Sequence, residues 1–444
     1  MNEPGPLNGL SGKIANSITI KLITMVILVL LLLIPTAMIK SLITEREYRK
    51  QAVIDEIDSK WGNEQTITGP IISIPYKRYN TDDKQNSTYT ICHLYFLPDS
   101  LNIDGKIIAE KRSRGMYDAV VYNTELSLTG VFAMPKAELL NINPATVIWQ
   151  GAAISLGISD LHGIKKPITA LFNGDSLIMN SGLVTEDTDE KTNGVNSPIN
   201  LTGVTAPIPF SFELDLNGSY QFNIVPVGKQ TEVHLQSDWP DPSFTGDFLP
   251  VERSVTDSGF DASWTVLDLN RNFPQYWACY KYNSQKSSLG VKFYVPVDIY
   301  QKSMRTAKYA LMFIVFAFVA FFFSEIMNKL RVHPIQYLLI GLAMVLFYSL
   351  LISISEHTNF DIAYWLSCLA IIGLIAGYSK SIFKKNNMAM MVGGALFVLY
   401  GYLYIILQLE DYALVMGSIG LFVVLALVMF LTRKVDWYNI KFDK

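Results

Sequence analysis

Six runs of apolar residues constrain this chain more than any other feature. The first covers residues 18–39, and its core, Met25-Val-Ile-Leu-Val-Leu-Leu-Leu-Leu-Ile34, carries no charge. At about 1.5 Å per residue, a helix over this run crosses a hydrocarbon layer about 30 Å thick. A signal peptide has a shorter apolar region and a small-residue cleavage site. Thr36-Ala37-Met38-Ile39-Lys40 is a poor site, so the run reads as an uncleaved anchor. Five further runs lie at residues 309–325, 335–354, 362–378, 388–409 and 412–431. The expected architecture is a multi-pass α-helical membrane protein with six transmembrane helices and one large domain, residues 40–305, between the first two.

Composition narrows the function classes. Only 17% of the 444 residues are charged, and mean hydropathy is +0.26. Such a chain is neither disordered nor wholly water-facing. A net charge of −3 leaves no nucleic-acid footprint. Three cysteines are too few for a disulfide scaffold or a structural zinc centre.

Orientation follows from the short loops. Lys329 and Arg331 follow the second run, and Lys380, Lys384 and Lys385 the fourth. Arg433, Lys434, Lys441 and Lys444 follow the sixth. The alternate loops, 355–361 and 410–411, carry acids and neither lysine nor arginine. The positive-inside bias then places both termini, residues 1–17 and 432–444, in the cytoplasm and residues 40–305 on the far side.

Residues 40–61 read as a helical stem, with Leu42, Ile43, Val53, Ile54, Ile57 and Trp61 at three- and four-residue spacing. Beyond Trp61-Gly62 the pattern alternates. Phe210-Ser-Phe-Glu-Leu-Asp-Leu216 and Tyr220-Gln-Phe-Asn-Ile224 flank Asn217-Gly218, the favoured signal for a two-residue hairpin. Asp104-Gly105 and Gly174-Asp175 read as turns, and residues 185–197 as a polar loop. A mainly antiparallel β domain of one or two sandwich-like sheets follows.

No motif carries recognisable chemistry. Gly174-Asp-Ser-Leu177 spells a hydrolase signature, but none of His93, His162, His234, His333 and His357 lies three residues after an aspartate. There is no phosphate-binding loop, dinucleotide fingerprint or paired metal-ligand spacing, so no catalytic residue, metal or cofactor is expected. The spans are nearly free of charge; Glu325 lies at the cytoplasmic end of the second. Gly373 and Gly377 form a small-residue face, read first as contact within the bundle and second as a homo-oligomer contact. Gly393, Gly394 and Gly401 either loosen the fifth span or let it pack closely. For Cys92 and Cys279, a bridge and two free thiols both stay open. The polar candidates are Glu356, His357 and Asp361 at the outer boundary, Arg331 and His333 in a cytoplasmic loop, and Asp238, Trp239 and Asp241 in a proline-rich external segment.

The order of several segments resembles the CreD family of bacterial inner-membrane, cell envelope integrity proteins. They are Gly69-Pro-Ile-Ile-Ser-Ile-Pro75, Trp239-Pro-Asp-Pro-Ser-Phe-Thr-Gly-Asp-Phe-Leu-Pro250, Ser258-Gly-Phe-Asp-Ala-Ser-Trp264 and Thr306-Ala-Lys-Tyr-Ala310. Arg331-Val-His-Pro-Ile-Gln-Tyr-Leu-Leu-Ile-Gly341, Ser355-Glu-His-Thr-Asn-Phe360 and Leu431-Thr-Arg-Lys-Val-Asp-Trp-Tyr438 complete the series. Asp241 departs from the pattern, where a histidine is more familiar. The resemblance implies an inner-membrane protein with a periplasmic domain, linked to tolerance of envelope-acting agents. It supplies no reaction and no catalytic residue. The reading is therefore a non-enzymatic envelope protein whose β domain binds envelope components or partner proteins. The alternatives are a transporter of lipid or small amphipathic molecules and, third, a membrane-surface enzyme.

Overall fold

The computed structural model describes residues 18–81, 87–183, 193–279, 282, 287–293, 299–328, 332–383, 386–409 and 413–433. The chain divides into two units, residues 51–296 and the remainder. Helix α1 (Ile18–Trp61) is continuous over 44 residues. Its polar second half stays helical through i,i+4 partners: Arg49 with Glu45 at 2.8 Å, Gln51 with Asp55 at 2.8 Å and Lys60 with Glu56 at 2.7 Å. At its end the Trp61 indole donates to the Tyr122 carbonyl at 3.1 Å, and the Arg112 guanidinium stacks 3.6 Å from the indole ring.

The first unit holds seventeen described strands. The first nine are β1 (Gln65–Thr81), β2 (Ser87–Phe96), β3 (Ser100–Arg114), β4 (Tyr117–Phe132), β5 (Ala153–Ile158), β6 (Thr169–Phe172), β7 (Asp175–Ile178), β8 (Asn180–Ser181) and β9 (Gly194–Pro198). The others are β10 (Ile208–Ser219), β11 (Gln221–Val225), β12 (Gln230–Ser237), β13 (Pro242–Gly246), β14 (Glu252–Thr256), β15 (Gly259–Leu267), β16 (Tyr276–Ala278) and β17 (Leu289–Phe293). One sheet runs β13-β17-β11-β1-β5-β9-β8, with β2 on β1 and β16 on β2. The other runs β14-β15-β12-β3-β4-β10-β6-β7. Period-two alternation buries one face of each: Phe210, Phe212, Leu214 and Leu216 from one sheet, Ile72, Ile154, Phe222 and Val291 from the other, all in one core.

Several sequence expectations need correction. Each sheet holds one parallel pair, β1 with β11 and β3 with β12, among pairings that are otherwise antiparallel. Parallel partners are joined by long crossovers, which local alternation does not reveal. Asn217-Gly218 is no hairpin. Strand β10 runs through both residues, pairing them with Asn123 and Tyr122, and β11 belongs to the other sheet. Tyr220, at φ 61°, turns the chain between sheets. Gln65 Nε2 holds the Asn217 carbonyl at 3.0 Å, and a Cβ on Gly218 would lie 2.7 Å from Tyr122 Cε2. The Asn-Gly pair that does make a two-residue hairpin is Asn173-Gly174, at φ 53° and 89°, where Phe172 pairs with Asp175. Asp104-Gly105 lies inside β3, and a Cβ there would meet the core side chain of Leu126 at 2.9 Å. The loop expected over 185–197 contains β9 at its end, while residues 184–192 lie outside the described chain.

The second unit is helical. After the first half of α1 come α2 (Ile299–Lys308), α3 (Ala310–Asn328), α4 (Pro334–Ser355), α5 (Phe360–Phe383), α6 (Asn386–Gln408) and α7 (Ala413–Thr432). Among the described residues, four helices are long and apolar enough to cross a membrane, α1, α4, α5 and α6. The pair α2–α3, bent by 44°, makes a fifth if taken as one span. The helix α2 carries charge on the sequence scale and has no counterpart among the expected runs. An aromatic cluster centres the bundle: Phe347 and Tyr400 lie 4.7 Å apart by ring centroids, and the Tyr364 hydroxyl donates to the Tyr400 carbonyl at 2.6 Å.

Candidate functional site

The proline-rich segment after β12 divides its candidates. Asp238 caps a strand, accepting from the Ala109 amide at 3.1 Å. Trp239 is a core anchor: it is buried, edge-on to Phe293 at 6.3 Å, with the Lys111 ammonium 5.7 Å from its ring centre. Asp241 is exposed. Within this proline-rich segment, Pro242–Gly246 forms edge strand β13. Proline is tolerated there because the first residue of an edge strand need not donate to the ladder.

Beside Asp238 lies a depression of about 550 Å³, lined among others by Lys106, Ile108, Ser254, Thr256, Phe260 and Asp261. It is bordered by β14, whose five residues are all exposed and which pairs only with β15 among the described residues. Leu249 and Val251, just before this strand, are 67% and 73% exposed. Nearby, His234 bridges Asp261 at 2.9 Å and Asp104 at 3.6 Å across adjacent strands.

In the helical unit the three boundary candidates do not form one cluster. Glu356 accepts from the Tyr300 hydroxyl at 3.2 Å and faces Arg46 at 3.8 Å. Asp361 instead accepts from the Tyr404 hydroxyl at 3.1 Å and Gln408 at 3.0 Å. His357 is exposed and its amide closes the helix end on Ile354. His333 is the N-cap of α4: its Nδ1 accepts from the Ile335 amide at 3.3 Å while Gln336 accepts from its own amide at 2.9 Å. This capping box precedes Pro334 at the first helical position. Arg331 lies outside the described residues.

Sequence reasoning underrated Glu325. Its side chain is 1% exposed, and it pairs with Lys21 of α1. It also accepts from the Tyr337 hydroxyl and the Val332 amide, each at 3.0 Å. These groups line one end of a mainly apolar pocket of about 470 Å³ between α1, α3 and α4, with Met25, Leu28 and Phe322 in its walls. A buried carboxylate at a helix end is a functional-site signal in a membrane bundle. The signal was visible as a charge at the border of an apolar run, but its lysine lies 304 positions away. Among the described residues nothing lies within 4 Å of where a Cβ on Gly373 or Gly377 would sit, which does not match the expected bundle contact; a Cβ on Gly393 would meet the Ala376 Cβ at 3.4 Å.

Ser176 of the hydrolase-like signature sits exposed in β7, on a hairpin with no helix behind it. Among the described residues no group of three or more His, Cys, Asp or Glu side chains is placed to hold a metal ion. The thiols of Cys92 and Cys279 are free and adjacent.

The family model described as "Inner membrane protein CreD" matches residues 17–438. The inner membrane protein CreD of Escherichia coli (strain K12) is 34% identical over 433 residues, covering 94% of this chain and 93% of that protein. The match is to an inner membrane protein and not to an enzyme family. Among solved structures, an M1 zinc metallopeptidase mutant from Deinococcus radiodurans aligns at 8% identity, covering 44% of this chain and 42% of that one, with a TM-score of 0.21. Similarity that low carries no argument about fold or chemistry.

Proposed function

The chain belongs to the CreD family of inner membrane proteins, and from that premise we propose that it supports cell envelope integrity by binding envelope components or partner proteins through its β unit. In this reading six helices span the membrane, α7 being the sixth beside the five by length and composition. Both termini are cytoplasmic and residues 40–305 are periplasmic, in keeping with the loop charges. The observation that carries the binding role is the edge of β14. Its residues are exposed throughout, apolar side chains flank it, and a depression lies beside it. An uncovered edge offers main-chain donors and acceptors to an added strand, with side-chain pockets for specificity.

A photo-crosslinking residue at Val255 should capture a discrete envelope partner that the same residue at exposed Leu269 does not. Val255→Lys should lose that adduct and lower tolerance of envelope-acting agents at unchanged protein level. Equal capture from both positions, with full tolerance in Val255→Lys, would overturn the proposal. A second reading, transport of lipid or small amphipathic molecules, is favoured by the pocket that ends at Lys21 and Glu325. It expects tolerance to depend on Glu325 and not on Val255.

A further inference from the structure

We infer that Cys92 and Cys279 form a redox staple, a reversible disulfide that ties β16 to β2. The register brings them together. Cys92 on β2 lies opposite Tyr76 on β1, and the Tyr76 hydroxyl is 3.1 Å from Cys279 Sγ. The Cys279 amide donates to the His93 carbonyl at 3.1 Å, extending the β16–β2 ladder one residue beyond Ala278. Cys279 is close enough to Cys92 to act on it electrostatically.

A second observation is independent of that contact. Cys279 has φ 57°, a conformation that side chains with a Cβ seldom adopt. Strained backbone of this kind persists where its surroundings hold it, and here it delivers the thiol over β2. Among the described residues the other non-glycine positions at positive φ are Asn141, Asn173 and Tyr220, and two of these are asparagine, which tolerates the region. Both thiols are half-buried, shielded yet open to a small oxidant. Burial pushes the Cys92 thiol up, the nearby Cys279 adds to this, and the hydrogen bond from Arg78 opposes both. Arg78 only partly offsets the burial, so the Cys92 thiolate, the attacking species in exchange, becomes more available as pH rises. Strand β16 has three residues and pairs only with β2 among the described residues, so a covalent tie to β2 adds to a short ladder.

The chemistry balances with a small-molecule disulfide as oxidant. The Cys92 thiolate attacks glutathione disulfide, forming a mixed disulfide and releasing one glutathione thiolate. The Cys279 thiolate then attacks the Cys92 sulfur, forming the protein disulfide and releasing the second. The protein loses two electrons and two protons, and the glutathione takes both. Periplasmic placement, part of the reading above, would put the pair in an oxidising compartment, where a protein disulfide oxidant can accept the same two electrons by the same two exchange steps.

The test uses the full chain, purified in detergent with Cys368→Ala so that only the pair can react. Under glutathione disulfide, thiols labelled by a maleimide reagent after denaturation should fall from two to none. The product should be a monomer without glutathione adduct, and dithiothreitol should restore both labels. With Cys92→Ser or Cys279→Ser added, the remaining thiol should instead carry one glutathione. Two stable glutathione adducts on the Cys368→Ala chain, or a disulfide-linked dimer that grows with concentration, would overturn the staple. Acid-trapped cells add a separate arm. If the pair bridges in vitro but stays reduced in cells, the staple stands and the periplasmic placement falls.

Discussion

Removing Glu325 should destabilise the helical unit, and the structure sets the scale. The carboxylate has three donors: Lys21, the Tyr337 hydroxyl and the Val332 amide. Tyr337 and Val332 are 4% and 5% exposed, so both donors are largely shielded from bulk water when the acceptor is gone. Hydrogen bonds to a charged group contribute about 1.5–3 kcal/mol each, and breaking a buried pair by removing one partner costs about 3–5 kcal/mol. Lys21 is 22% exposed and can turn to water, which lowers its share. Glu325→Ala should therefore lose about 3–4 kcal/mol, toward the lower end of the buried-pair range. Glu325→Gln keeps the volume and one acceptor oxygen but turns an amide toward the ammonium, and should lose about half as much. In Lys21→Met/Glu325→Gln the losses should fall short of the sum by about 1 kcal/mol, because the two residues share one interaction. The assay is denaturant unfolding of the purified full chain in detergent, followed by far-ultraviolet circular dichroism. A Glu325→Ala chain within about 0.5 kcal/mol of the parent, the usual range for surface substitutions, would refute the account of a satisfied buried charge.

Asp58, on the charged part of α1 that belongs to the β unit, is pushed up to about 6, chiefly by burial, with Asp55 and Glu64 adding and the Ser219 hydroxyl opposing. Its ionised form is disfavoured in the folded chain, so stability is highest below the ordinary carboxylate range and falls as pH rises through 6. That displacement from the ordinary value is worth roughly 3 kcal/mol, reduced to about 1–2 kcal/mol by solvent screening at this half-buried position. Asp58→Asn should be the more stable chain at pH 7 by that amount, with no advantage at pH 4; a constant difference across that range in denaturant titrations would refute the assignment. The two Asn-Gly sites should respond differently to alanine. Gly174→Ala meets no atom within 4 Å but must adopt φ 89°, so its loss of about 1 kcal/mol is backbone strain. Gly218→Ala forces a methyl against Tyr122, should cost about 1–3 kcal/mol, and should shift tyrosine near-ultraviolet dichroism, which Gly174→Ala leaves unchanged.

Which helices and strands exist was written in the chain, because hydrophobic periodicity is a local property and burial is what it encodes. The apolar runs at 335–354 and 388–409 appear as α4 and α6 within a residue or two. Phe210 to Leu216 alternates in sequence and in burial alike. Partners were not written there. Asn217-Gly218 carries a hairpin signal that Asn173-Gly174 fulfils instead, since Tyr122, Gln65 and the turn at Tyr220 decide that β10 continues and changes sheets. The same holds for the site residues. Trp239, whose segment could equally have been a binding loop or a structural corner, is an anchor against Phe293, and His333 is a helix cap. Glu356 and Asp361, five positions apart, take different partners, whereas Lys21 and Glu325, 304 apart, share one pocket. A local pattern can specify which face of an element is buried. Only the tertiary structure decides what that face meets, because parallel pairing, sheet crossing and buried charge pairing are contacts between residues far apart in the chain.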